Sequence, residues 1–387
     1  MDHSAWPRQV LSPDVSATIV KECNLSSPQI IREDVNQIVD ELASKLDALA
    51  GTTFLITGAS GFLCSYLVEV ALAWNDRKRG MPCRVIALDN MLTGVASRLA
   101  SYSGRADITF LNHDISRPLM TDECPAWIVH GASIASPIVY RKFPLETLDA
   151  NVNGTRYLLE LALKRQSRGM LVMSTSEIYG DPPGAMIPTP ETYRGNVSCF
   201  GPRACYDESK RISETLAYIY FTQHQVPVKM IRPFNFYGPG LRLNDQRVIP
   251  DLMNTVLNRD PIVLFSDGKP TRAFCYIADA IKAMLLILFS DHVGTAFNVG
   301  NDMEEISMRD LAMRMSAVGA KLMGGAPVPV EFKVSADVEY MTDNPNRRCA
   351  DLTKLRTAFP DWAPRVSLEE GLERTLISYL QMGLGKP

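Results

Sequence analysis

From Thr52 onward, short apolar runs alternate with longer stretches of helical periodicity. Thr53-Phe54-Leu55-Ile56-Thr57 reads as a strand, and so do residues 84–89, 108–111, 127–130, 171–174 and 228–231. Helical patterns lie between them near 62–75, 145–165 and 203–224. Strands that are apolar throughout, rather than alternating, are buried on both faces. That marks a parallel sheet with helices on each side. The pattern therefore predicts an α/β fold built on a doubly wound parallel sheet, which binds ligands beyond the C-terminal ends of its strands.

The pattern changes on either side of this core. Ser27-Pro28 can open a helix, and Ile31, Val35, Ile38, Val39, Leu42, Leu46 and Leu49 then share one helical face up to Gly51. Such a helix packs against the main domain or contributes to a subunit contact. Residues 1–25 show no clear pattern. After Arg232, Pro233, Gly238, Pro239 and Gly240 cluster, and helices near 248–258, 277–290 and 306–318 mix with strands at 296–299 and 328–333. Three parts are expected: a helical extension (1–50), a dinucleotide-binding domain (51–232), and a mainly substrate-binding lobe (233–387) interleaved with it.

Composition narrows the partners. The net charge of −3 gives no basic field for nucleic acid or an acidic membrane. No apolar run reaches the roughly 18 residues of a membrane span, and the first 20 residues lack the basic-then-apolar order of a signal peptide. The 8 cysteines form no C-x-x-C pair and the 5 histidines no cluster. Reduced thiols in a cytoplasmic protein, with no metal site, are expected.

The first strand runs directly into Gly58-Ala59-Ser60-Gly61-Phe62-Leu63-Cys64. Glycines allow a tight turn and close backbone approach to a pyrophosphate, and the next helix offers free N–H groups at its start. This is a Rossmann-type arrangement for NAD. Gly58, Ser60, Gly61, Phe62 and Leu63 form the candidate loop. Asp89, followed by Asn90, ends the second strand, where a carboxylate accepts from the adenosine ribose and repels a 2′-phosphate. The long spacing from Gly58 to Asp89 is explained by an insertion at 74–82. After the third strand come Asp114 and Ile115. Asp114 can accept from the adenine amino group or simply cap a turn.

Two further pieces carry chemistry. Ser174-Thr175-Ser176-Glu177 ends a strand, and Tyr206-Asp207-Glu208-Ser209-Lys210 opens a helix. The four-residue spacing puts Tyr206 and Lys210 on one face. The lysine charge is expected to lower the tyrosine pKa, so that a phenolate can take a proton from a sugar hydroxyl as hydride leaves to nicotinamide. Thr175 can bond the same hydroxyl.

These motifs, with Arg232-Pro233-Phe234-Asn235, occur in the order seen in extended short-chain dehydrogenases, which the chain resembles from about Thr52 to Leu380. Within that group it is most similar to the UDP-glucuronate decarboxylase (UDP-xylose synthase) family. The closest stretches are Gly201-Pro202-Arg203-Ala204-Cys205-Tyr206-Asp207-Glu208, Leu243-Asn244-Asp245-Gln246-Arg247-Val248 and Thr271-Arg272-Ala273-Phe274. Cys64 replaces the third glycine, and Gly240 stands where an arginine is expected. The resemblance implies oxidation of the sugar at C4 through Tyr206, loss of carbon dioxide from a β-keto acid, and return of the hydride. Glu177 would orient the sugar or move a proton. Arg272 would bind the carboxylate or serve in reprotonation. Tyr140, Ser176, Asn235, Arg247 and Arg348 would meet sugar, diphosphate or ribose. A homodimer built on the helix from 203 to 224 is also implied.

Three alternatives stay open: a 4,6-dehydratase, a 4-epimerase, and a non-catalytic NAD-binding module. A dehydratase resembles Thr-Asp-Glu at the Thr175 position, and Ser176 is a far weaker acid. An epimerase usually lacks the glutamate. The intact Thr175, Tyr206 and Lys210 speak against a mere binding module.

Overall fold

The computed structural model describes residues 28–333 and 345–384. Ser27, Cys23 and the patternless first 25 residues lie outside them. Helix α1 (Gln29–Glu41) buries Ile31, Val35, Ile38 and Val39, and the chain behind it buries Leu42, Leu46 and Leu49. That is the face read from the spacing. Asp34, on the same helix, accepts from Tyr276 Oη at 2.7 Å and from Arg374 Nη2 at 2.7 Å. The extension is thus bonded to the core by a buried charge as well as by apolar packing.

The sheet strands are β1 (Thr53–Thr57), β2 (Arg84–Asp89), β3 (Ile108–Asn112), β4 (Trp127–His130), β5 (Gly169–Met173), β6 (Val228–Pro233) and β7 (Thr295–Val299). They pair in the order β7-β6-β5-β4-β1-β2-β3, every pair parallel. The main helices are α2 (Phe62–Asp76), α3 (Pro144–Arg165), α4 (Ala204–His224), α5 (Val248–Leu257), α6 (Ile277–Leu288), α7 (Met308–Met323) and α8 (Leu368–Gln381). Side chains of β1 alternate between two cores, as strand geometry requires. Phe54 and Ile56 join α1, α2 and α6, whereas Leu55 joins Leu158 and Leu159 of α3 and Ala217 of α4.

The run at 296–299, read as a strand of the second lobe, is the outermost strand of the main sheet. It pairs with β6, with Phe297 opposite Ile231. The chain returns to the sheet after its first excursion because α6, buried on nearly every side, has nowhere else to place its apolar surface.

A small sheet completes the lobe's contribution. Strand Thr271–Ala273 pairs antiparallel with Glu305–Ser307 and parallel with Arg347–Arg348. The register sets Arg272 opposite Arg348.

Candidate active site

The C-terminal ends of the sheet strands open into a cleft of about 850 Å³. Its lining comes from the glycine loop, the Ser174–Glu177 segment, the start of α4, and lobe residues on both sides of α5. The loop is built by local necessity. Gly58 has φ +70°, and a Cβ there would come within 2.8 Å of the Ala132 backbone. Gly61 caps α2. Asp89 holds the loop from behind: Oδ2 accepts from Ser60 N at 2.9 Å and Oδ1 from Met91 N at 2.8 Å. Cys64 is buried against Gly131, where any side chain would strike its sulfur. Burial, with Asp89 nearby, pushes the Cys64 thiol up to about 12.

Other candidate cofactor residues stand differently. Asn90 accepts from Leu92 N at 3.0 Å and Asp114 from Ser116 N at 3.0 Å, both exposed turn bonds. Ile115 is buried in the core beneath α3. Asp89, Asn90, Asp114 and Ile115 do not line the cleft, whereas Gly58, Ser60, Gly61, Phe62 and Leu63 do.

Tyr206 and Lys210 are buried side by side on α4, with the ammonium 5.8 Å from the centre of the phenol ring. The expected lowering of the tyrosine by the lysine is not what this geometry gives. Burial drives Tyr206 up to about 12, partly offset by a hydrogen bond with Thr175. Lys210 Nζ donates to Met173 O at 2.7 Å, and burial brings its pKa down to about 7. Removing two charged forms from water outweighs their mutual influence here. Thr175 Oγ1 also accepts from Glu177 N at 3.2 Å. Ser176 is buried and lines the cleft. Tyr140 stacks on Tyr206, with ring centres 5.1 Å apart and an interplanar angle of 5°.

Glu177 is the centre of a charge cluster. Arg348 reaches it with both terminal nitrogens, Nη2 to Oε2 at 2.8 Å, and Arg203 meets Oε2 from the other side. Burial alone would raise this carboxyl, but Arg348 and then Arg203 outweigh it and hold the pKa at about 2. Arg272 sits behind them, donating to Pro345 O at 2.6 Å and Thr271 O at 2.7 Å. Burial, then repulsion from Arg348, lowers it to about 10. Asp207, next to Tyr206, is raised to about 7 by burial and by Glu177, against Arg203. Its Oδ1 has no hydrogen-bond partner among the described residues.

Asn235 and Arg247 also line the cleft. Asn235 donates to Ala273 O at 3.0 Å, and Arg247 pairs with Asp245 ahead of α5. Sequence reasoning missed Arg203, Asp207 and Arg98 as site residues. The first two had a signal: positions 203, 206, 207 and 210 share one helical face. Arg98, on a turn after β2, had none.

A model of the NAD dependent epimerase/dehydratase family matches residues 54–300. The chain belongs to that family. It is 36% identical over 318 residues to UDP-glucuronic acid decarboxylase 5 of Arabidopsis thaliana, covering 82% of this chain and 86% of that one. It is 35% identical over 322 residues to UDP-glucuronic acid decarboxylase 1 of Xenopus tropicalis, covering 83% and 70%. Among solved structures of the fold is the UDP-glucuronic acid 4-epimerase of Bacillus cereus, in complex with UDP-glucuronic acid and NAD. It matches with a TM-score of 0.70 at 24% identity, covering 85% of this chain and 99% of that one. The epimerase/dehydratase fold and the cofactor expected from the glycine loop thus agree with the comparisons.

Proposed function

We propose that the protein is an NAD-dependent carboxy-lyase that converts UDP-glucuronate to UDP-xylose through a 4-keto sugar. The observation that carries this reading is the cluster of Arg203, Arg272 and Arg348 around Glu177 in the cleft. Arg272 and Arg348 both line the cleft, and planar guanidinium groups pair well with a carboxylate such as that of the substrate. The similarity to UDP-glucuronic acid decarboxylases over more than four-fifths of the chain supports the same substrate.

NAD held at Gly58, Ser60, Gly61, Phe62 and Leu63 would supply the hydride acceptor and donor for sugar C4. The chain supplies the rest. Tyr206 would accept the C4 hydroxyl proton as a phenolate, a form that the positive charges of oxidised nicotinamide and Lys210 would favour against burial, with Thr175 bonding the same oxygen. Lys210, with a pKa near neutrality, can donate or accept a proton beside it. The 4-keto group turns the C5 carboxylate into a β-keto acid, which loses carbon dioxide. Arg272 holds that carboxylate or supports reprotonation at C5, and Glu177 orients the sugar. Tyr140 and Ser176 border the sugar, and Asn235, Arg247 and Arg348 the diphosphate or ribose. Ser176 lacks the acidity to expel a C6 hydroxyl, which weighs against a 4,6-dehydratase. On the cofactor side we assign the ribose to Asp89 and Asn90 and the adenine edge to Asp114 and Ile115.

No helix among the described residues is long and apolar enough to cross a membrane, and the seven described cysteines are free. We read the protein's location as cytoplasmic. The packed pair α3 and α4 exposes Leu145, Leu148, Ile212 and Ile219, which supports a homodimer formed across these helices. The division at residues 50 and 232 remains our reading of the domains, with β7 returning to the first.

Purified protein supplied with NAD and UDP-glucuronate labelled at the carboxyl carbon should release labelled carbon dioxide and form a UDP-pentose. Retention of the label in an epimerised UDP-hexuronate would refute the decarboxylase reading. So would dehydration of a nucleotide-linked glucose with UDP-glucuronate untouched.

A further inference from the structure

Arg98 has no part in the chemistry above. It lies on the turn Ala96–Tyr102 that follows β2, and its side chain lines the cleft. Nε donates to Ser65 Oγ in the first turn of α2, and Nη1 donates to Gly240 O at 2.6 Å. The guanidinium stands 5.7 Å from the centre of the Tyr66 ring. Nη2 is packed away from solvent with no hydrogen-bond partner among the described residues.

Three features distinguish this from a stray surface arginine. The groups that hold it, a hydroxyl, a carbonyl and an aromatic ring, are all neutral. A cation set among neutral contacts, with both N–H groups of Nη2 lacking a partner among the described residues, calls for an anion to complete it. Second, Gly240 has φ +91°, and a Cβ there would overlap the Arg98 guanidinium. Position 240 can carry no side chain while Arg98 is in place. An arginine is expected at 240 from the resemblance. Here a guanidinium fills that space from the other side of the cleft. Third, the Ser65 contact fixes Arg98 one turn from the start of α2. There the glycine loop and free helix N–H groups gather positive potential for a pyrophosphate.

We infer that Arg98 is a phosphate-binding residue of the dinucleotide site, and that it ties the Gly240 segment of the lobe to the start of α2. Nη2, which has no hydrogen-bond partner among the described residues, is the nitrogen that would meet a pyrophosphate oxygen. The inference rests on NAD binding at the glycine loop and is independent of which sugar is turned over.

The test is calorimetric binding of NAD, ADP and adenosine to the full chain and to Arg98→Gln. One lost charge-assisted hydrogen bond should weaken NAD and ADP about tenfold, equivalent to about 1.4 kcal/mol. Adenosine, which has no phosphate, should bind within about twofold of the unaltered protein. Unchanged affinity for NAD and ADP would overturn the assignment, and so would an equal loss for adenosine, which would point to the ribose or base instead. Arg98→Met, which fills the same space without a polar tip, takes the place of R98Q if that variant does not fold. It is read by the same three ligands.

Discussion

Replacing Glu177 with glutamine keeps the side-chain volume and removes the charge that Arg203 and Arg348 face. In the folded protein the carboxyl is held at about 2, against an ordinary 4.5. A shift of that size corresponds to about 3 kcal/mol in favour of the ionised form. The side chain is 20% exposed, so solvent screening trims this only modestly. An independent scale agrees: removing one partner of a buried ion pair costs about 3–5 kcal/mol, because the remaining charge stays buried and unpaired. Arg348 and Arg203 would lose the carboxylate they share, with Asp207 left beside Arg203. For 387 residues the unfolding entropy is about 0.8 kcal/mol/K, so E177Q should melt about 4 °C below the unaltered protein at pH 7. The sign with pH follows from linkage. A carboxyl whose folded pKa is depressed stabilises the fold above its unfolded value and loses that contribution as pH falls toward the folded one. The gap between the two proteins should therefore shrink to roughly half by pH 3. Differential scanning calorimetry across pH 3–7 measures both. A gap under about 1 °C at pH 7, or one that stays constant down to pH 3, would show that the arginines do not hold Glu177 in this way.

Other expectations follow from the same geometry. Tyr206→Phe should lower kcat by about 10²–10⁴ while NAD binds within about twofold, measured by turnover and by calorimetry; activity within tenfold of the original would remove Tyr206 from its role. Asp207, raised to about 7 by burial and Glu177 and opposed by Arg203 and Arg348, should make the unaltered protein lose stability as pH rises from about 4 through 7. Asp207→Asn should lack that loss, so chemical denaturation at pH 5 and pH 8 should separate the two proteins at the higher pH only. Gly58→Ala must accept a left-handed backbone and a collision with the Ala132 backbone. It should cost about 2 kcal/mol and weaken NAD binding, and an alanine variant with unaltered melting and affinity would contradict the strained-turn argument.

Much of this protein is legible in one dimension because the signals concerned are local. The apolar runs that become β1 to β6, the helical spacing of α2 to α4, and the turn at Gly58 each depend on residues within a few positions of one another. The face of α1 follows from the same logic, as does the placement of Tyr206 and Lys210 on one turn of α4. The chain's membership of the epimerase/dehydratase family and its cofactor follow from the order of those local signals.

What tertiary structure alone decided is where charges and apolar faces from distant segments meet. Residues 295–299 look like a lobe strand in sequence, and only the need to cover α6 and the edge of β6 makes them the seventh strand. Glu177, Arg203, Arg272 and Arg348 come from four separate segments, and nothing in their spacing shows that they converge. Lys210 was expected to lower the Tyr206 pKa by its charge. That expectation could not include the burial that raises the tyrosine to about 12, or the Met173 carbonyl that receives the ammonium's hydrogen bond. Arg98 carries no motif, and its significance rests on a glycine 142 positions away that leaves room for it. Local periodicity determines elements because backbone hydrogen bonding and side-chain direction repeat over short distances. Desolvation and charge pairing act through space, so their outcome is set only once the chain has folded.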